Sequence, residues 1–112
     1  MKTDSALAAL AALAQETRLA IFQLLVRYEP EGLTVGEIAQ HLDLAPATLS
    51  FHLKTLTQAG LVSSEQDGRH IHCRAQIEAV QALGQFLTMD CCKGQPERCK
   101  PASSSARRSK AA

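Results

Sequence analysis

The chain has 112 residues, 46% of them apolar but only 4% aromatic, and a net charge of +1 at pH 7. That composition predicts one domain with tails, built on a small aliphatic core of leucine and alanine. No apolar run approaches the ~20 residues that span a bilayer. Nor is there a charged n-region followed by an apolar h-region and a cleavage site, so the expectation is a cytoplasmic protein without membrane contact. The charge is unevenly placed. Residues 1–43 set Lys2, Arg18 and Arg27 against Asp4, Glu16, Glu29, Glu31, Glu37 and Asp43, whereas residues 77–112 set six Lys and Arg against Glu78, Asp90 and Glu97. A charge of +1 does not announce a nucleic-acid binder. Phosphate contacts would come from a few placed residues and from helix N-termini, with a modest salt dependence.

Ser5 can cap a first helix running to about Ala14. Leu7, Leu10 and Leu13 repeat there at helical spacing without charge, which predicts burial on more than one side, the second surface being another copy of the chain. A second helix runs from about Glu16 to Arg27, with Leu19, Ile21, Phe22, Leu24, Leu25 and Val26 as core. Glu29-Pro30-Glu31-Gly32 is loop by composition. Thr34-Val35-Gly36-Glu37 has the form of a capping box and opens a short helix with Ile38 and Leu42 facing in. Asp43 to Ala45 turns the chain into the next helix, which Pro46 can open. Leu49, Leu53 and Leu56 recur along it at i, i+4 and i+7, and Gly60 supplies its stop.

The far side of that helix carries Ala47, Thr48, Phe51, Lys54, Thr55 and Gln58, with Ser50 and His52 flanking the apolar stripe. These groups are small and hydrogen-bonding rather than heavily charged, as suits a helix entering a DNA groove, although an ordinary surface helix can look the same. The neighbouring segments favour the first reading. Leu61 to Gln66 and Arg69 to Arg74 flank Asp67-Gly68, a strong hairpin signal. Helix, turn, helix, hairpin is a winged helix-turn-helix: mainly α with a small β-hairpin. Its second helix would enter the major groove of double-stranded DNA, and its hairpin would lean on the adjacent backbone or minor groove. From about Gln76 a last helix carries Ile77, Val80, Leu83, Phe86 and Leu87. With the first helix it predicts the face of a homodimer, the alternative being that both stripes complete a monomer core.

The sequence divides into a winged helix-turn-helix and dimerisation domain at 1–89, a cysteine-rich segment at 90–100, and a basic, low-complexity tail at 101–112 expected to be disordered. Cys91, Cys92 and Cys99 fall in DCCKGQPERCK, which is not core sequence of the kind that buries a cysteine. In a cytosolic protein such a cluster points to metal binding or redox chemistry. Three thiolates suit a soft ion that wants three sulfurs, such as As(III) or Sb(III). Zinc normally recruits a fourth ligand and favours Cys-x₂₋₄-Cys spacing, and soft thiolates also admit Cu(I). The competing readings are a redox switch through a Cys91–Cys92 or Cys91–Cys99 disulfide, and an incidental cluster. Cys73 reads as an ordinary strand residue, with a role as a fourth zinc thiolate left open. His41, His70 and His72 lack a partner at helical metal spacing. An enzyme would want a reactive cysteine beside a base in a pocket, and the segment offers only Lys93, Arg98 and Lys100, so none is expected.

From about Leu10 to Leu87 the chain resembles the arsenical-resistance (ArsR-type) family of small metal-sensing winged-helix repressors. The resemblance rests on ALAQETRLAIFQLL (Ala12 to Leu25), GEIAQHLDLAPATLSFHLKTLTQAGLV (Gly36 to Val62) and DGRHIHC (Asp67 to Cys73). It implies a homodimer built on the first and last helices, operator binding in the free form and release when metal binds. It also implies that Thr48, Ser50 and His52 contact DNA, with Arg69 at the wing tip. The helical period alone selects Thr48, Phe51, Lys54 and Thr55, so the candidate DNA contacts are the union of both sets.

There are departures. The family's Asp-Pro before the second helix is Gln15-Glu16 here, which costs a cap. The Cys-x-Cys of many arsenic-sensing members is absent from Glu37 to Leu42, and the last helix lacks the His/Asp set of zinc sensors. The vicinal pair Cys91-Cys92 followed by Cys99 is similar to a subgroup of arsenic responders. The implied function is an arsenite- or antimonite-responsive repressor, with As(III) or Sb(III) as inducer at Cys91, Cys92 and Cys99. The alternative is a thiol–disulfide redox-responsive regulator of the same fold.

Overall fold

The computed structural model describes residues 1–89. Their elements are α1 (Thr3–Leu13), α2 (Glu16–Arg27), β1 (Leu33–Thr34), α3 (Val35–Leu42), α4 (Pro46–Gln58), β2 (Val62–Asp67), β3 (His70–Ala75) and α5 (Ile77–Leu87). Helices α3 and α4 form the helix-turn-helix, and β2 and β3 the wing. No single helix among them is long and apolar enough to cross a membrane.

The starts of α2, α3 and α4 have local causes. Gln15 accepts a hydrogen bond from the Arg18 backbone N–H at 2.8 Å, so the cap that the family supplies with aspartate is kept by a glutamine oxygen. Thr34 and Glu37 form the expected reciprocal capping box at the start of α3. Asp43 then takes a left-handed conformation, φ 53°, and Pro46 opens α4. At the far end of α4 the Leu61 N–H reaches the Leu56 carbonyl and the Gly60 N–H the Thr57 carbonyl, both at 3.0 Å. That bond pair is the Schellman motif, and it swings Leu61 back into the core over Leu56, both fully buried.

The core is one cluster. Leu49, Leu53 and Leu56 of α4 meet Ile21, Phe22, Leu24 and Leu25 of α2, Ile38 of α3, Leu33, Leu61, Val62, Cys73 and Ala75 of the sheet region, and Leu83 of α5. The expected apolar stripe of α4 is therefore what anchors it.

Three details of the helices depart from the sequence reading. Helix α1 starts at Thr3 after an N-cap at Lys2, so Ser5 lies inside it rather than capping it. Its buried stripe is Ala6, Ala9 and Ala12, while Leu7 and Leu10 are exposed. The two stripes sit side by side at the same spacing, and the small side chains are the ones that let α1 close on α2, α4 and α5. In α2, Leu19 and Val26 are exposed rather than core.

The sheet has three strands in the order β1-β3-β2. Leu33 pairs with Cys73 and Thr34 with His72, an edge strand too short to leave a periodic trace. In the wing Asp67 pairs with His70, so the two loop residues are Gly68 and Arg69 rather than Asp67 and Gly68. Only Gly68 has positive φ, 65°, as a type II′ turn requires at its first central position. The shift by one residue puts Arg69 at the tip.

Candidate nucleic-acid interface

Anchoring α4 by Leu49, Leu53 and Leu56 fixes which of its other residues look outward. Thr48, Phe51 and Gln58 form the exposed ridge, with the Phe51 ring 65% exposed. Ser50, Lys54 and Thr57 lie on the flank toward the wing, where with Val35, Leu53, Ser64 and Ile71 they line a groove. His52 and Thr55 lie on the opposite flank and are half-buried. Thr55, with Gln58 and Ala59, lines a cleft against Ala8, Ala11 and Ala12 of α1 and Arg18 of α2. The Thr55 hydroxyl donates to the Phe51 carbonyl at 3.3 Å, so the proton it could offer outward is already engaged. Arg69 is exposed at the wing tip. Of the seven residues expected at the interface, Thr48, Ser50, Phe51 and Lys54 thus stand exposed on one helix, Arg69 stands apart on the wing, and His52 and Thr55 face α1 and α2.

Sequence reasoning missed Arg18. Its side chain leaves α2, donates from Nε to the Ala12 carbonyl at 2.7 Å and from Nη2 to the Ala11 carbonyl at 3.5 Å. It also meets His52 Nδ1 through Nη1 at 3.4 Å. One guanidinium therefore caps the Ala12 carbonyl at the end of α1, shares the Ala11 carbonyl with the Ala14 N–H and touches the candidate DNA helix. The contacts to His52 span 34 positions in the chain, and no local pattern announces them.

The wing is braced at its root. His72 Nε2 bonds the Glu31 carbonyl, and Arg74 pairs with Glu29 at 3.6 Å. Cys73 is fully buried between them, its sulfur 3.9 Å from the Ser64 hydroxyl. Burial pushes its thiol up from the ordinary range, the Ser64 contact offsetting part of that. A buried neutral thiol is a poor metal ligand, and among the described residues no three His, Cys, Asp or Glu side chains converge. Cys91, Cys92 and Cys99, with the whole of the expected segments 90–100 and 101–112, lie outside the described residues.

A helix-turn-helix domain family matches residues 13–65. The HTH-type transcriptional regulator YbzH of Bacillus subtilis is 31% identical over 90 residues, 68% of this chain and 88% of that protein. The structure of an ArsR-like transcriptional regulator from Rhodococcus sp. RHA1 superposes with a TM-score of 0.70 at 28% identity, covering 77% of this chain and 78% of that one. The chain belongs to the ArsR-type family of winged helix-turn-helix transcriptional regulators.

A Halobacterium salinarum protein that carries the name of the arsenical resistance operon repressor ArsR is 42% identical over 60 residues, 54% of this chain and 46% of that protein. The chain spans 57% and 24% of the length of two further curated relatives, both HTH-type regulators of Bacillus subtilis.

Proposed function

We propose that the chain is a homodimeric repressor that binds operator DNA through α4 and the wing and is released by As(III) or Sb(III). The observation that carries the DNA half is the division of labour on α4. Three leucines hold it rigidly, and the opposite ridge offers Thr48, Phe51 and Gln58, flanked by Ser50 and Lys54. Short hydroxyls and amides reach base edges, and the phenyl ring suits a thymine methyl. The α4 N-terminus after Ala45 leaves backbone N–H groups free for a phosphate. Lys54 and Arg69 add two placed cations, in keeping with sparse rather than diffuse charge.

Dimerisation through α1 and α5 is supported by what those helices leave uncovered. They pack against each other, and Leu7, Leu10 and Leu87 remain exposed on them. A dimer would set two α4 helices about one DNA turn apart.

The effector half rests on donor chemistry. Three thiols at Cys91, Cys92 and Cys99 match the three-sulfur preference of trivalent arsenic, and they follow α5 directly in the chain. Bound there, the ion supplies a covalent tie among thiolates at the end of a dimer helix. A coupling of about 1–3 kcal/mol, ordinary for allostery, weakens operator binding several-fold to a hundred-fold. Serine at Cys91, Cys92 or Cys99 should leave DNA binding intact and abolish release by arsenite. Normal release in all three single variants would contradict the assignment. Release by peroxide with no response to arsenite would make the cluster a redox switch instead.

A further inference from the structure

Arg18 has a rigid fork of donors and no acceptor. Its Nη1 can meet His52 Nδ1 at 3.4 Å as a hydrogen bond only if that ring nitrogen carries no proton. The neutral imidazole then holds its proton on Nε2, and among the described residues nothing bonds Nε2. The guanidinium is itself held by the Ala12 and Ala11 carbonyls at 2.7 and 3.5 Å, so it cannot simply follow the histidine. The Phe51 and His52 rings also meet in an edge-type arrangement, with centroids 5.5 Å apart and planes at 63°.

We propose that Arg18 is a positioning residue for DNA recognition. By donating to Nδ1 it fixes His52 as a ring that offers only a donor at Nε2, and so selects an acceptor on the DNA. The acceptors available are purine N7, guanine O6, thymine O4 or a phosphate oxygen, and the amino edges of cytosine and adenine are refused. This rests on the reading of α4 as the groove helix. It adds a residue on another helix that decides which hydrogen-bonding face His52 presents.

The test is a double-mutant cycle on the full-length chain. Arg18→Met, His52→Ala and the double variant are titrated by fluorescence anisotropy against the duplex upstream of the protein's own gene, under reducing conditions. Residues in direct contact couple measurably. The expected result is that Arg18→Met weakens binding roughly threefold to tenfold when His52 is present and has little effect in the His52→Ala background. Equal weakening in both backgrounds would reduce Arg18 to a cap on α1 and overturn the proposal.

Arg18→Lys keeps the charge without the fork and should behave like Arg18→Met in the cycle. If lysine restores full affinity, charge alone is at work and the proposal fails. Arg18→Lys also carries the cycle if Arg18→Met does not fold. A second readout needs no DNA: in ¹⁵N spectra of the neutral ring, Nδ1 of His52 should show the shift of a hydrogen-bonded acceptor in the wild type and lose it in Arg18→Lys. Unchanged ring shifts would sink the proposal even if α4 binds DNA. Conversely, an Arg18-dependent ring shift in a protein that binds no duplex would uphold the pairing and count against the groove-helix reading instead.

Discussion

At the scale of single residues, the sites that matter most are those whose partners lie far away in sequence. Arg18 looks like a solvated cation at the start of a helix until the fold sets it against Ala12 and His52. Gly32 looks like one more loop glycine, yet its φ is +77° and a Cβ there would run into the Cys73 carbonyl oxygen. Backbone cannot yield as a side-chain tip does. Gly32→Ala should therefore cost at least ~2 kcal/mol and lower Tm by on the order of 10 °C, measured by thermal unfolding.

Cys73 was legible as a strand residue from its alternation with His72 and Ile71, but its complete burial depends on β1, which the sequence did not reveal. In a chain with Cys91, Cys92 and Cys99 replaced by serine, the remaining thiol should resist a thiol-reactive dye in the native state and react fast once unfolded. Fast native labelling would mean that the wing root opens.

Elements divide by how local their causes are. Helices α2, α3 and α4 were readable almost to the residue, because the proline, the capping box and the glycine stop act within a few positions. The buried face of α1 was not, since alanine and leucine stripes of equal spacing differ only in how closely a neighbour can approach. The two-residue β1 exists only because β3 pairs with it. The site followed the same rule: the outward ridge of α4 came from the helical period, whereas the turning of His52 and Thr55 toward α1 came from packing that no period encodes.

Two predictions belong to this scale. Leu53→Ala removes an anchor of α4 and should cost about 2–5 kcal/mol of stability. Ser50→Ala should leave the unfolding midpoint unchanged and weaken DNA binding by about 1 kcal/mol, roughly fivefold. Equal midpoints for both variants would mean that α4 is anchored otherwise.

The capping box of α3 should show in the acid limb. The Thr34 backbone N–H donates to the Glu37 carboxylate at 2.8 Å, which with the other Thr34 contacts holds the carboxyl below its ordinary range, desolvation opposing. A carboxyl lowered in the fold contributes stability above its unfolded pKa of about 4.3, and that contribution is lost as pH falls through the lower folded value. Glu37→Gln can keep the reciprocal hydrogen bonds without the titration. Its midpoint should lie below wild type near pH 7 and converge on it between about pH 5 and pH 3; parallel curves would mean that the carboxylate charge adds nothing to the cap.

In the whole molecule α1 and α5 carry Leu7, Leu10 and Leu87 uncovered, while α4 and the wing carry the exposed Thr48, Ser50, Lys54 and Arg69. Leu7 is 58% exposed and Leu87 60%, on two helices that pack against each other. Leu7→Glu with Leu10→Glu should convert a dimer to a monomer by sedimentation and weaken operator binding, while the monomer stays folded, because the α1 core stripe is alanine. A wild-type monomer at micromolar concentration would contradict the shared face.

Operator DNA held by α4 and let go through a three-thiol site is the core of the function proposed for this ArsR-type regulator. Its most direct test is anisotropy on the duplex upstream of the protein's own gene, with the chain fully reduced and arsenite, zinc and peroxide added in turn. The expected result is salt-sensitive binding that low arsenite alone reverses. Binding that arsenite leaves untouched, or no binding in any condition, would contradict it.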